Sequence, residues 1–226
     1  MATTTTASTK AAQAAPAPVR AAAATAVPAW LMNPRLLGGV LGGIAVIAAA
    51  AWFVSSSATR KEAFATRALQ TARQAAEAGN LPLAASELQK VTQTYKGTRA
   101  GNEAVLSLNQ VRLVNNQAEL AVVGLREFAA SNPKGYTAQA QALLGVALEN
   151  TKKPAEAAAA YQAAAAAADL DYVKAQYLLD AGRAWVDAGK PDEAAKVYRE
   201  IVAKYPKTES VTEAKVRLAE VTKGHN

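Results

Sequence analysis

The strongest constraint on this chain is an internal repeat. Five columns recur in register: Gly79, Asn116, Lys152 and Gly189; five residues on, Ala84, Ala121, Ala157 and Ala194; then Leu88, Leu125, Tyr161 and Tyr198; then Val91, Phe128, Ala164 and Ile201; last Lys96, Pro133, Asp169 and Pro206. The units are spaced by 37, 36 and 37 residues. The chain holds 58 alanines in 226 residues, so some alanine matches come free, but five columns in register do not. A fixed period of this size means stacked supersecondary units, each too small to bury its own apolar face.

Within a unit, positions three, four and seven apart fall on one face of a helix, so each repeat predicts two amphipathic helices. In the fourth unit the first helix, Ala175–Ala188, carries Leu178, Ala181, Gly182 and Trp185 on its packing side. The second begins after Gly189-Lys190-Pro191, with proline in the first turn and Asp192 and Glu193 at the positive helix end. Gly145, Gly182 and the alanine column predict close approach of the two helices of a unit, and the Tyr/Leu column is expected to fill the space between units. Beyond Pro206, Ser210 and Glu213 predict a capping box that opens a last helix with Val211, Ala214, Leu218 and Val221 on one face. That helix would close the array.

These columns resemble the tetratricopeptide repeat (TPR) family. Unit four carries Gly182, Trp185, Gly189, Ala194, Tyr198 and Pro206 at the family's offsets, and unit three Leu144, Gly145, Ala157, Tyr161 and Ala164. Units one and two depart from it, with Ala72 and Asn109 where the first-helix glycine would be. The resemblance implies an all-α solenoid of about four helix-turn-helix repeats, 65–101, 102–137, 138–174 and 175–208, closed by a helix at 209–222. It also implies a concave partner-binding face. Carried over position by position, that face takes Arg73, Glu103, Leu106, Gln110, Leu113, Gln139, Val146, Asn150, Gln176, Asp180, Arg183 and Asp187. Their mixed signs are unlike the Lys/Asn clamp of TPR proteins that hold acidic C-termini.

The N-terminal part is of another kind. Residues 1–35 are rich in Ala, Thr and Pro and contain no acid, which predicts a disordered tail, with a transit peptide as the alternative. Leu36 to Ser55 is a run of 20 residues without a charge, flanked by Trp30 and Trp52 and by Arg35 and Arg60–Lys61. As a helix it reaches about 30 Å, the thickness of a bilayer core, and its four glycines suit lipid better than water. An uncleaved signal anchor is expected, with 56–64 as a short helical connector. Neither Gly nor Pro occurs between Gly43 and Gly79, so the span is expected to run almost directly into the first repeat helix. Gly38, Gly39, Gly42 and Gly43 form overlapping GxxxG pairs, a candidate helix–helix contact or homo-oligomer seam. The N-side has Arg20 and Arg35 near the span and the C-side Arg60, Lys61, Arg67 and Arg73, a thin margin that leaves the orientation open.

A tail, one span and a C-terminal repeat domain together resemble the ancillary Sec-translocon subunit family of bacterial inner membranes. The C-terminal units are also similar to the TPR domain of the periplasmic cell-division coordinator family. The first resemblance implies a single-pass inner-membrane protein with a periplasmic domain, whose partners are translocon components or exported envelope proteins. A cytosol-facing scaffold that recruits soluble partners fits the residues as well.

No chemistry of the catalytic kind is written in the chain. It has no Cys, and its one His is His225, expected at a frayed end, which excludes thiol nucleophiles, His-dependent triads and Cys/His metal sites. No GxxxxGK[ST] or GxGxxG loop occurs. Asp169 and Asp171 read as helix-capping acids in an inter-repeat loop. No enzyme, no cofactor and no metal are expected. The net charge of +7 suggests nucleic acid at first sight, but residues 1–61 hold five Lys/Arg and no acid, whereas 62–226 hold 20 Lys/Arg against 18 Asp/Glu. The repeat domain is nearly neutral, which removes the nucleic-acid reading and makes the excess charge a membrane-flanking feature.

Overall fold

A computed structural model of the chain describes residues 34–223, with side-chain surroundings from residue 43 onward. All the elements described are helices: α1 (Pro34–Glu77), α2 (Leu81–Thr94), α3 (Arg99–Val114), α4 (Ala118–Ala130), α5 (Thr137–Asn150), α6 (Pro154–Ala167), α7 (Asp171–Asp187), α8 (Pro191–Lys204) and α9 (Ser210–Val221). The chain divides into a unit that ends at Trp52 and a second that starts at Phe53.

In the first unit the described residues are helical, and Ile44, Val46 and Ile47 are all more than half exposed. This is the one described helix long and apolar enough to cross a membrane, and its apolar window is unburied. A Cβ at Gly43 would meet nothing within 4 Å. The surroundings of Gly38, Gly39 and Gly42, the tail at 1–33 with Trp30, and His225 lie outside the described residues.

The second unit is a TPR-like solenoid. Its first helices are the later part of α1, then α3, α5 and α7; its second helices are α2, α4, α6 and α8, with α9 at the end. Each first helix stops in the same way. The residue of the turn column is left-handed in all four units: Gly79 at φ 78°, Asn116 at 55°, Lys152 at 60° and Gly189 at 69°. Its amide donates three residues back and the next amide five back, as in Gly189 N to Val186 O and Lys190 N to Trp185 O, both 2.9 Å. That double bond satisfies the orphan carbonyls of a helix end, so the turn column is a chain of Schellman caps. Only glycine adopts this conformation without steric cost, and Lys152 occupies it with a side chain.

The core follows the other columns. Ala84, Ala121, Ala157 and Ala194 are all 0% exposed. Leu88, Leu125, Tyr161 and Tyr198 are buried too, but the tyrosines do not sit where the pattern placed them. Their rings lie inside a unit rather than between units. A Cβ at Gly145 would fall 2.5 Å from Tyr161 Cε1, and one at Gly182 would fall 2.2 Å from Tyr198 Cε1. The first-helix glycine thus makes room for the aromatic ring of the second helix.

Unit two solves the same contact the other way round. Asn109 holds the glycine position and is 1% exposed; its Nδ2 donates to Val105 O at 2.8 Å and its Oδ1 accepts from Arg112 Nη1 at 3.1 Å. Here the gap is supplied by Gly124 of α4, where a Cβ would lie 2.9 Å from Asn109 Oδ1. Burial draws the Arg112 guanidinium below its ordinary pKa.

The capping box expected at Ser210 does not form. Glu209 already has helical dihedrals, Ser210 is buried, and the helix entry makes no side-chain cap bond. The chain instead winds in through Thr208, whose backbone N and Oγ1 both donate to Tyr205 O at 3.1 and 2.8 Å. Glu213 is left to pair with Arg217 at 3.5 Å.

Candidate functional site

Stacking of the units aligns the first helices, so that α3, α5 and α7 each turn one face to a shared groove of about 930 Å³. The spacing on each helix is that of a single face: Glu103, Leu106 and Gln110 on α3; Gln139, Leu143 and Val146 on α5; Tyr177, Asp180 and Arg183 on α7. Arg73 closes the side of α1, Tyr136 enters from the start of α5, and Tyr161 reaches in from α6.

The groove has two polar ends and an apolar middle. At one end Glu103 takes ion pairs from Arg73 and Arg99, each at 3.2 Å, and the Tyr136 hydroxyl donates to it at 3.4 Å. Burial first, and the Glu103 charge second, push the Tyr136 phenol above its ordinary pKa. At the other end Tyr161 donates to Glu149 Oε2 at 2.8 Å, and Arg183 is bonded to Asp180. Burial and then the Glu149 bond push the Tyr161 phenol far up. Burial alone would lower the Arg183 guanidinium; the Asp180 hydrogen bond and the charges of Asp180 and Glu149 together outweigh it and hold the group raised. Between these ends lie Leu106, Leu143 and Val146, the last 39% exposed, beside the half-buried Tyr177. A surface of this kind can bury apolar side chains of a lying segment while pre-paired charges orient its polar groups.

Eight of the residues carried over by resemblance line this groove: Arg73, Glu103, Leu106, Gln110, Gln139, Val146, Asp180 and Arg183. Four do not. Leu113 packs against the core, Asn150 is exposed at the end of α5, Gln176 lines a cavity with Tyr172 and Lys207, and Asp187 lines one with Pro191 and Arg217. Arg99, Tyr136, Leu143, Glu149, Tyr161 and Tyr177 were missed. Tyr161 was visible only as a core column; Tyr136 lies in a loop, where periodicity carries no signal. The acids singled out in the sequence stay apart from the groove: Asp171 opens α7 and pairs with Lys174 at 3.3 Å. Among the described residues no group of His, Cys, Asp and Glu could hold a metal ion.

Comparison with known proteins agrees with this architecture. A profile of the tetratricopeptide repeat-like domain matches residues 45–178, and a tetratricopeptide repeat profile matches 176–208. The nearly identical TPR-like repeats of a candidate kinesin light chain from Podosopora anserina superpose with a TM-score of 0.57 at 18% identity, covering 70% of this chain and 85% of that one. MamA protein superposes with a TM-score of 0.52 at 20% identity, covering 71% and 87%. At such identities the likeness is one of fold. No curated protein matches the sequence.

Proposed function

The chain belongs to the tetratricopeptide repeat-like domain family, and from that premise we propose a non-enzymatic, membrane-anchored scaffold whose groove holds a segment of a partner protein. The observation that carries this is the groove itself: Leu106, Leu143 and Val146 are exposed to it between two clusters whose charges are already paired. Pre-paired charges lose little on docking, so an extended or helical segment with apolar side chains gains from the middle without stranding a charge at the ends. Replacement of Leu143 by Glu tests it. Capture of partner proteins by the full chain should be lost while helicity is kept; capture undiminished by Leu143→Glu sinks the reading.

The apolar run 36–55 supports a single-pass anchor, with a connector at 56–64, repeats over 65–208 and a closing helix at 209–222. This order of tail, span and repeats resembles the ancillary Sec-translocon subunit family, which implies the bacterial inner membrane with the repeats on the periplasmic side. Translocon components or exported envelope proteins are then the partners, as is bilayer lipid, and the Gly38–Gly43 pairs supply a seam for homo-oligomers. Affinity purification from solubilised membranes that recovers neither kind of protein counts against this assignment. A cytosol-facing recruiter is the second reading, favoured by the four cations on the C-side of the span against two on the N-side. A phosphatase fused to the C-terminus separates them: activity places the domain outside, silence inside.

A further inference from the structure

Two consecutive residues of α1, six and seven past Ser55, tie that helix to the loop between α2 and α3 and to the start of α3. The Lys61 ammonium donates to the Lys96 carbonyl at 3.3 Å. The Glu62 carboxylate accepts from the first amides of α3, Arg99 N at 2.9 Å and Ala100 N at 2.8 Å. Both ties lie within the second unit, so the loop at 95–98 is held beside α1 at the level of residues 61–62.

Charge is distributed one-sidedly at this place. Glu62, the one acid of α1 nearby, is turned to the positive end of α3, where a carboxylate is well placed. Glu103 is occupied by Arg73 and Arg99. Arg60, Lys61 and Lys96 are exposed, and among the described residues none of them has a carboxylate within ion-pair distance. The exposed Phe53 and Val54 mark the end of the apolar run. From Ser55 to Lys61 is six residues, about 9 Å along a helix. The headgroup layer on each face of a bilayer is about 5–8 Å thick, and lysine and arginine stems reach several ångströms further toward it.

We propose that the loop at 95–98, clasped to α1 by Lys61 and Glu62, lies against anionic lipid headgroups, with Arg60, Lys61 and Lys96 as the cations that face the phosphates. This rests on the anchored reading above. The occupant is lipid because three cations without a carboxylate partner stand about one headgroup layer beyond the apolar run, while Glu62 is taken up by the start of α3.

The chain has no native cysteine, so one introduced thiol reports one place. Thr94→Cys, at the end of α2, carries a fluorophore; Lys207→Cys, at the far end of the array, is the control. The full chain is reconstituted in vesicles of phosphatidylcholine alone or with phosphatidylglycerol, each containing a headgroup-labelled quencher lipid. Quenching at 94 should rise with phosphatidylglycerol, and quenching at 207 should not. Arg60→Gln, Lys61→Gln and Lys96→Gln should each weaken the docked state about five-fold. Salt near 1 M, where the screening length is about 3 Å, should abolish the phosphatidylglycerol effect in the unsubstituted chain. Quenching at 94 indifferent to lipid charge, in protein that floats with the vesicles, overturns this inference alone. Failure to float overturns the anchor and the inference together.

Discussion

The Tyr161 hydroxyl donates to Glu149 Oε2 at 2.8 Å, from α6 back to the last turn of α5. One repeat later, 37 residues on, Tyr198 stands in place of Tyr161 but Val186 in place of Glu149. The Tyr198 hydroxyl is buried and has no hydrogen-bond partner. Two copies of one motif therefore differ by a single acceptor.

Removal of the two hydroxyls should give opposite results. Tyr161→Phe loses a made bond and should destabilise the array by about 1 kcal/mol, whereas Tyr198→Phe removes an unmet donor and should be neutral or stabilising. Val186→Glu restores the acceptor and should add about 0.5 kcal/mol once the carboxylate's unfavourable place at the end of α7 is counted. Urea unfolding followed by circular dichroism reads all three; a Tyr198→Phe loss as large as that of Tyr161→Phe refutes the pairing.

Alkaline pH acts on the same pair. Burial and the Glu149 bond hold the folded Tyr161 phenol above the ordinary value of 10.0. The unfolded chain then ionises first, so this stabilisation is whole below pH 10 and drains away as pH climbs beyond it. Tyr161→Phe lacks that linkage, and its stability should fall less steeply between about pH 9.5 and 11 than that of the unsubstituted chain.

Gly182→Ala and Gly145→Ala should each cost about 1–3 kcal/mol, since the new methyl meets a buried ring at 2.2 and 2.5 Å. Unit one pairs Ala72 with Leu88 at the same two positions, both buried. Gly182→Ala combined with Tyr198→Leu should therefore recover much of the loss. A double variant no better than the sum of its single ones refutes the contact.

Lys152→Gly should stabilise the domain by about 0.5–1 kcal/mol, because a side chain is relieved of φ 60° at a cap that keeps its two backbone bonds. Gly189→Ala at φ 69° should lose a comparable amount. Thermal midpoints measured side by side decide it; a Lys152→Gly midpoint equal to that of the unsubstituted chain would show that the cap carries no strain.

Much of the fold was legible because repeat columns report local requirements. An alanine that recurs four times marks a close helix contact, and all four are fully buried. A residue that recurs between the two helices marks a turn; that each one is a left-handed cap, even Asn116 and Lys152, is what the structure adds. The Ser210–Glu213 signature failed for a related reason. It names two side chains able to cap, but Glu209 was already helical and Ser210 was drawn into the core. The groove was legible only in part. Arg73, Glu103 and Arg183 came from the groove positions that the TPR resemblance implied, while Tyr136 and Glu149 face it only because of how the units lean on one another.

The sequence by itself determined the period, the helical pairs, the turn column and the uncharged apolar run, since each is a matter of spacing along the chain. Only the tertiary structure decided that the tyrosine rings sit on glycines inside their own units, that Glu149 meets Tyr161 while Tyr198 goes without, and which first-helix residues share a groove. The first two follow from how closely the two helices of one pair pack, the last from the angle at which one helical pair stacks on the next. That angle is set by the summed packing of many small side chains, and no single column records it.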